Sequence, residues 1–297
     1  MRSIVVLSLI AACSGRSPAA PAPGPRVVSL HDVTTELVVA LGAVDRLVGV
    51  ADPVDVTGQV AAAVAGVPRV GDLESILAVR PALVVGLRVV AAQDPELVAR
   101  LREAGVEVWL ADPRTLDDVF AATRAVGARI GAGAEADALA SRLATEAGAI
   151  VPLDPRAPRV RVFVYDCCDP PFTAGGETVL GDLIGRAGGV NVFADLAAAW
   201  THVSWEAVVA RRPALVVIDA YAADGQGDAA DKQRAVRAIS ALAGLPTVTI
   251  PLGCLLGGIR SLEALARLRA AIAPTHDRTS PIDPTPHDRA SPIGAAT

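Results

Sequence analysis

Between its two termini the chain carries three cysteines and two histidines: His31, Cys167, Cys168, His202 and Cys254. All five fall in stretches that read as loops, most of them directly after a strand. Thiolate and imidazole in one place suit a soft or borderline ion such as zinc or copper(I), so the five are candidates for one coordinating site. Such a site has two forms. It holds a bare transition-metal ion, or it supplies an axial ligand to a metal already inside a chelate. A disulfide competes with both: outside the cytoplasm Cys254 can pair with Cys167 or Cys168, or the two neighbours can pair with each other. Two further residues read as ligand contacts. Trp200, one of three tryptophans, sits in a Thr- and His-containing loop. Arg260 follows Gly257-Gly258 at a helix start, where its charge and the helix dipole would together favour an anion. There is no G-x-S-x-G, no Walker loop and no H-E-x-x-H, so the sequence offers no catalytic residues and the chain reads as a non-enzyme without a catalytic cofactor.

The elements that must position these residues announce themselves through a repeat. Residues 73–85 read LESILAVRPALVV and residues 205–217 read WEAVVARRPALVV. Each copy is a short helix beginning near Glu74 or Glu206, stopped by Arg-Pro, then a Val-rich run suited to a strand buried on both faces. The residue before proline is expected to be extended. The repeat implies two related lobes.

Around it, strands alternate with helices, which means parallel sheets with covered faces. In the first lobe, 26–112, strands are expected at 26–30, 47–50, 83–85 and 106–110, with helices from Thr35 and from Pro95. Residues 113–155 read as a helical connector divided near Gly127, Gly131 and Gly133. The second lobe, 156–273, has strands at 160–165, 215–218 and 247–251 and a final helix over 259–273.

Composition limits the function. Hydrophobic residues are 52% and charged ones 20%, as in a globular chain, and the net charge of −5 offers no basic footprint for nucleic acid. The N-terminus, MRSIVVLSLIAAC, has the layout of a secretory signal peptide over 1–12. Ile10-Ala11-Ala12-Cys13 resembles a bacterial lipobox, with Cys13 acylated and the domain held at a membrane surface. A Pro/Ala-rich tether occupies 13–25. The tail, 274–297, repeats HDRTSPID as HDRASPIG and reads as disordered, with His276 and His287 solvated.

The order VVSLHDVTTELVVALGAVDRLVGV, VGDLESILAVRPALVV, a helix and EVWL resembles the substrate-binding lipoproteins of ABC importers for cobalamin, haem and iron-siderophores, over residues 26 to about 272. VYDCCDPPFTAGG through GGVNVF, Trp200 and VSWE is similar to the branch associated with a deazaflavin precursor, although Cys167, Cys168 and Cys254 depart from that branch. The resemblance implies two Rossmann-like lobes joined by a long rigid helix, a ligand cleft between them, and Trp200 placed against a flat ligand. It implies a monomeric receptor that hands a metal-containing small molecule to an ABC permease dimer, with Glu74 and Glu206 meeting arginines on the two permease subunits. The competing readings are a receptor for a bare ion held by Cys/His ligands and a secreted metal-cluster or electron-transfer protein.

Overall fold

A computed structural model describes residues 24–52, 56–150, 158–221 and 228–279. The signal peptide, Cys13, most of the tether and the tail beyond 279 lie outside the described residues. The first lobe runs β1 (Val27–Ser29), α1 (Asp32–Ala40), β2 (Leu47–Val50), α2 (Gly58–Ala63), α3 (Leu73–Ala78), β3 (Leu83–Leu87), α4 (Arg88–Gln93), α5 (Pro95–Glu103) and β4 (Glu107–Ala111). Its sheet is parallel, in the order β2-β1-β3-β4. All five residues of β3 are buried, as a strand covered on both faces requires.

Two helices then cross to the second lobe. α6 (Leu116–Ile130) opens with a reciprocal cap between Thr115 and Asp118 and closes on Gly131, whose φ of 70° is the left-handed conformation glycine adopts without cost. α7 (Gly133–Ala149) has 17 residues and is therefore about 25 Å long. It is the long helix that the resemblance implies. Gly127 of α6 lets the pair close: a Cβ there would meet the Ala136 Cβ at 2.1 Å.

The second lobe runs β5 (Val160–Tyr165), β6 (Phe172–Ala174), α8 (Val179–Arg186), β7 (Gly189–Asn191), β8 (Trp200–His202), α9 (Trp205–Ala210), β9 (Leu215–Ala220), α10 (Ala229–Ala238), β10 (Thr247–Pro251), α11 (Leu252–Leu255) and α12 (Ser261–Thr279). Its parallel sheet has the order β10-β9-β5-β7. Read from the other edge, β7-β5-β9-β10 repeats the first sheet, with β5 in the place of β1 and β9 in the place of β3. The duplication inferred from thirteen residues therefore extends to both lobes. β6 and β8 form a separate antiparallel ribbon. α12 continues through Pro274 to Thr279, so the expected tail boundary at 274 is corrected: the helix extends six residues further.

Alternation along the strands divides the core. Val27, Leu83, Val85, Val160, Val162, Val164, Leu215 and Val217 join residues of α6, α7 and α12 in one apolar cluster that spans both lobes. The residues between them on the same strands face a separate cluster in each lobe.

One expectation about the repeat is overturned. Arg80 and Arg212, each before a proline, are not extended but left-handed, both with φ of 45°. A donor from a neighbouring strand explains how they are held. Arg26 donates to the carbonyls of Val79 (2.7 Å) and Arg80 (3.1 Å). Arg161 does the same at the second copy, from Nε to Arg211 (2.8 Å) and Arg212 (3.1 Å) and from Nη2 to Arg211. The carbonyls left open at a helix end thus receive a guanidinium instead of the next turn.

Candidate functional site

In both sheets the strand order reverses beside the first strand of the lobe, and ligands of such sheets sit beyond the carboxyl ends at that point. In the first lobe this is the exit of β1. Ser29, Thr34 and Thr35 all direct their hydroxyls at the His31 carbonyl, at 3.2, 2.9 and 3.2 Å, which fixes the turn into α1. His31 caps α1, its Nδ1 accepting from the Val33 N–H at 3.2 Å. Burial holds the imidazole below its ordinary pKa, against the opposing charge of Asp32, so the ring is neutral with its proton on Nε2.

In the second lobe the exit of β5 is a loop, 166–171, that the ribbon folds back upon. Phe172 N–H donates to the Cys167 carbonyl at 2.8 Å, and Asp166 N–H to the Phe172 carbonyl at 3.1 Å. Three side chains hold the loop from outside. Tyr165 Oη donates to the Cys168 carbonyl (3.0 Å), Trp205 Nε1 to Asp169 (3.2 Å), and His202 Nδ1 bonds the Pro170 carbonyl (3.0 Å). On one face of the ribbon Trp200 stacks on Phe172, with ring centroids 6.0 Å apart and planes 22° apart, and His202 lies 4.8 Å from Phe172. His202 also edges a hollow of about 390 Å³ whose walls include Phe193, Leu196 and Val203.

The five-residue Cys/His cluster is corrected by this geometry. Cys167 and Cys168 are bonded to each other and offer no thiolate. Cys254 is fully buried in α11, not in a loop; burial pushes its thiol up to about 12, and it lies 3.5 Å from Glu263 Oε2. A neutral thiol in the apolar core has no access to the histidines' ligand. Among the described residues no three His, Cys, Asp or Glu side chains come together to hold a metal ion. What remains at the strand ends is the pair of histidines, one per lobe, with Trp200.

Arg260, expected to face an anion, already faces a carboxylate. Its side chain is buried and lies 3.5 Å from Glu36 on α1, itself 4% exposed, so the pair ties the second lobe to the first. It borders a hollow of about 350 Å³ between the lobes, lined also by Val39, Thr57, Gln59 and Ile259. Gly258 presses on α1 beside it, where a Cβ would meet Val33 Cγ1 at 2.9 Å. Glu74 and Glu206 are exposed in the first turns of α3 and α9. The Glu206 carboxyl is held below its ordinary pKa by its own N–H and by Ser204.

A group of residues at the ends of β5 and β9 had no place in the sequence reading. Tyr221 Oη lies 2.8 Å from both oxygens of Asp166. Lys232 sits 3.8 Å from the centre of the Tyr221 ring, 2.8 Å from Asp228 Oδ2, and donates to the Asp219 carbonyl. Asp219 is fully buried and its carboxylate oxygens find no donor. Burial, then the neighbouring Asp166 carboxylate, push Asp219 well above the usual carboxylate range. The signal was present in the sequence: an aspartate inside the apolar run LVVIDA, and the chain's only lysine.

Residues 27–249 match the periplasmic binding protein family. The chain belongs to that family of two-lobed binding proteins. Among curated relatives, the vitamin B12-binding protein of Yersinia pestis (strain Pestoides F) is 28% identical over 195 residues, 65% of this chain and 69% of that protein. A periplasmic binding protein of Veillonella parvula superposes with a TM-score of 0.75 at 23% identity, over 84% of this chain and 92% of that one. A periplasmic heme-binding protein of Roseiflexus sp. RS-1 gives 0.67 at 25% identity, over 85% and 99%. No helix of the described residues is long and apolar enough to cross a membrane.

Proposed function

We propose that the chain is the extracytoplasmic receptor of an ABC importer. It captures a metal-containing small molecule of the cobalamin, haem or siderophore type between its lobes and delivers it to the permease. The observation that carries this reading is the duplicated strand order, which places a first-strand exit in each lobe: His31 in one, and in the other the loop that the Trp200–His202 ribbon holds. Two such surfaces can close on one ligand by shape and mass action without chemistry. The relatives that bind vitamin B12 and heme support the ligand class. Cys13 acylation would hold the receptor at the membrane, and Glu74 and Glu206 would meet the permease.

Native mass spectrometry with elemental analysis of protein purified from its own host tests the proposal. A co-purifying small molecule carrying one metal atom per chain is the expected result. Protein saturated instead with a metal-free metabolite, or with a bare ion, would overturn the ligand class.

A further inference from the structure

A disulfide stabilises a fold mainly by closing a loop of chain, and the gain grows with the loop. Cys167 and Cys168 are neighbours, so the bond between them closes no loop and ties no two elements together. Its effect is confined to the turn that carries it. There Cys168 is left-handed, with φ of 76°, a conformation that a residue with a Cβ leaves when nothing restrains it. The small ring through the Cys167–Cys168 peptide is one restraint. The others are hydrogen bonds, from Phe172 N–H to the Cys167 carbonyl, from Tyr165 to the Cys168 carbonyl and from Trp205 to Asp169. The disulfide is also within reach of solvent, with Cys168 exposed and Cys167 half-buried. Exposed disulfides are the ones that thiols reduce. Cys254, fully buried with its thiol pushed up to about 12, takes no part in such exchange.

We infer that the Cys167–Cys168 bond is a reversible redox switch for the exit loop of β5, opened by a dithiol reductant. The inference stands apart from the receptor reading and needs no ligand. One thiolate of the reductant attacks the exposed Cys168 Sγ, the S–S bond breaks, and Cys167 leaves as a thiolate that takes a proton. The reductant's second thiolate then attacks the mixed disulfide and frees Cys168 Sγ, which is protonated in turn. Two electrons pass to the protein, and the reductant becomes a cyclic disulfide. A disulfide oxidant of the glutathione class runs the exchange backwards. With the ring open, Cys168 returns to negative φ, its carbonyl turns from Tyr165, and Asp169 turns from Trp205. Trp205 is the first residue of α9, beside the exposed Glu206, so the change reaches that helix start. Oxidised, the loop has one fixed shape; reduced, it is released and carries two thiols.

The full chain is treated with dithiothreitol under native conditions, alkylated with iodoacetamide and mapped by peptide mass spectrometry, with amide hydrogen exchange followed in parallel. Cys167 and Cys168 should be labelled only after reduction, and Cys254 in neither case. Exchange in the peptide 166–173 should quicken about tenfold or more, the weight of one left-handed side chain. β9 should keep its protection, and the urea midpoint should stay where it was. Oxidised glutathione should restore the slow rate. Cys167→Ser with Cys168→Ser should exchange like the reduced wild type and no longer respond to dithiothreitol. Cys167→Ser with Cys168→Gly should exchange more slowly than the double serine variant, because glycine holds the left-handed turn without the bond. Cysteines 167 and 168 that stay unlabelled until the protein unfolds would overturn the inference, as would labelled ones with unchanged exchange. So would a urea midpoint that drops on reduction, which would make the bond a staple of the whole fold.

Discussion

At the scale of single residues, the protonated Asp219 has a measurable signature. Its pKa is raised in the folded protein, so between about pH 4 and that raised value the folded state holds a proton that the unfolded chain has released. Stability must therefore fall as pH rises through this window, by up to about 1.4 kcal/mol per pH unit for one proton. Asn at 219 matches the shape of the side chain and has no proton to lose. Asp219→Asn should be more stable than the wild type at pH 7, and the difference should shrink toward pH 4. Denaturant melts at a series of pH values check this; a wild type and variant with parallel profiles would refute the raised Asp219 pKa. The exposed carboxyls with lowered pKa, such as Asp72, Asp118 and Asp195, act in the opposite sense. They are common to both proteins and cancel in the difference.

At the scale of elements, the repeat owes its shape to the strand beside it. Arg161 takes the last carbonyls of α9 and lets Arg212 stay left-handed. Arg161→Ala should cost about 1 kcal/mol, the net worth of such bonds at a wet surface. Arg212→Gly should be neutral or stabilising by up to about 1 kcal/mol, since a side chain at that φ carries a steric penalty that glycine avoids. Urea titration of both variants decides. A large loss in Arg212→Gly would mean that its side chain, not its backbone, matters.

These elements also show how much could be read beforehand. The long Val-rich strands were legible because sheets buried on both faces demand them, and the helix repeat was legible because Glu and Arg-Pro recur in register. β6, β7 and β8 were not, being three residues each with no period to detect. The short α2 and α4 were missed for the same reason. His31, Trp200 and His202 were singled out by residue type; Trp200 and His202, expected in a loop, lie in β8 instead, part of a ribbon too short to show in the sequence. The fate of the cysteines was not legible: adjacency does not say whether two thiols bind each other or a third group. Cys254 looked like a loop residue because of its glycines, although Leu252, Leu255 and Leu256 around it were the better guide to burial.

At the scale of the whole molecule, the matching lobes place Glu74 and Glu206 at equivalent helix starts, both exposed. If the permease reads these two carboxylates, reversing both charges should separate delivery from capture. Glu74→Arg with Glu206→Arg should leave ligand affinity within about twofold and cut receptor-stimulated ATP hydrolysis by the reconstituted permease about tenfold or more. Stimulation equal to wild type would remove the two glutamates from the docking surface.

The apolar cluster that runs through both sheets and the helices between them carries a consequence of another kind. Two lobes with separate cores would melt one after the other, and a half-melted receptor would expose its binding face to proteases and to other chains. Here each lobe has a cluster of its own and a third runs through both, so opening one lobe uncovers part of the other's interior. The shared cluster predicts that the two lobes unfold together, so that a ligand touching only one lobe should raise the melting temperature read in both.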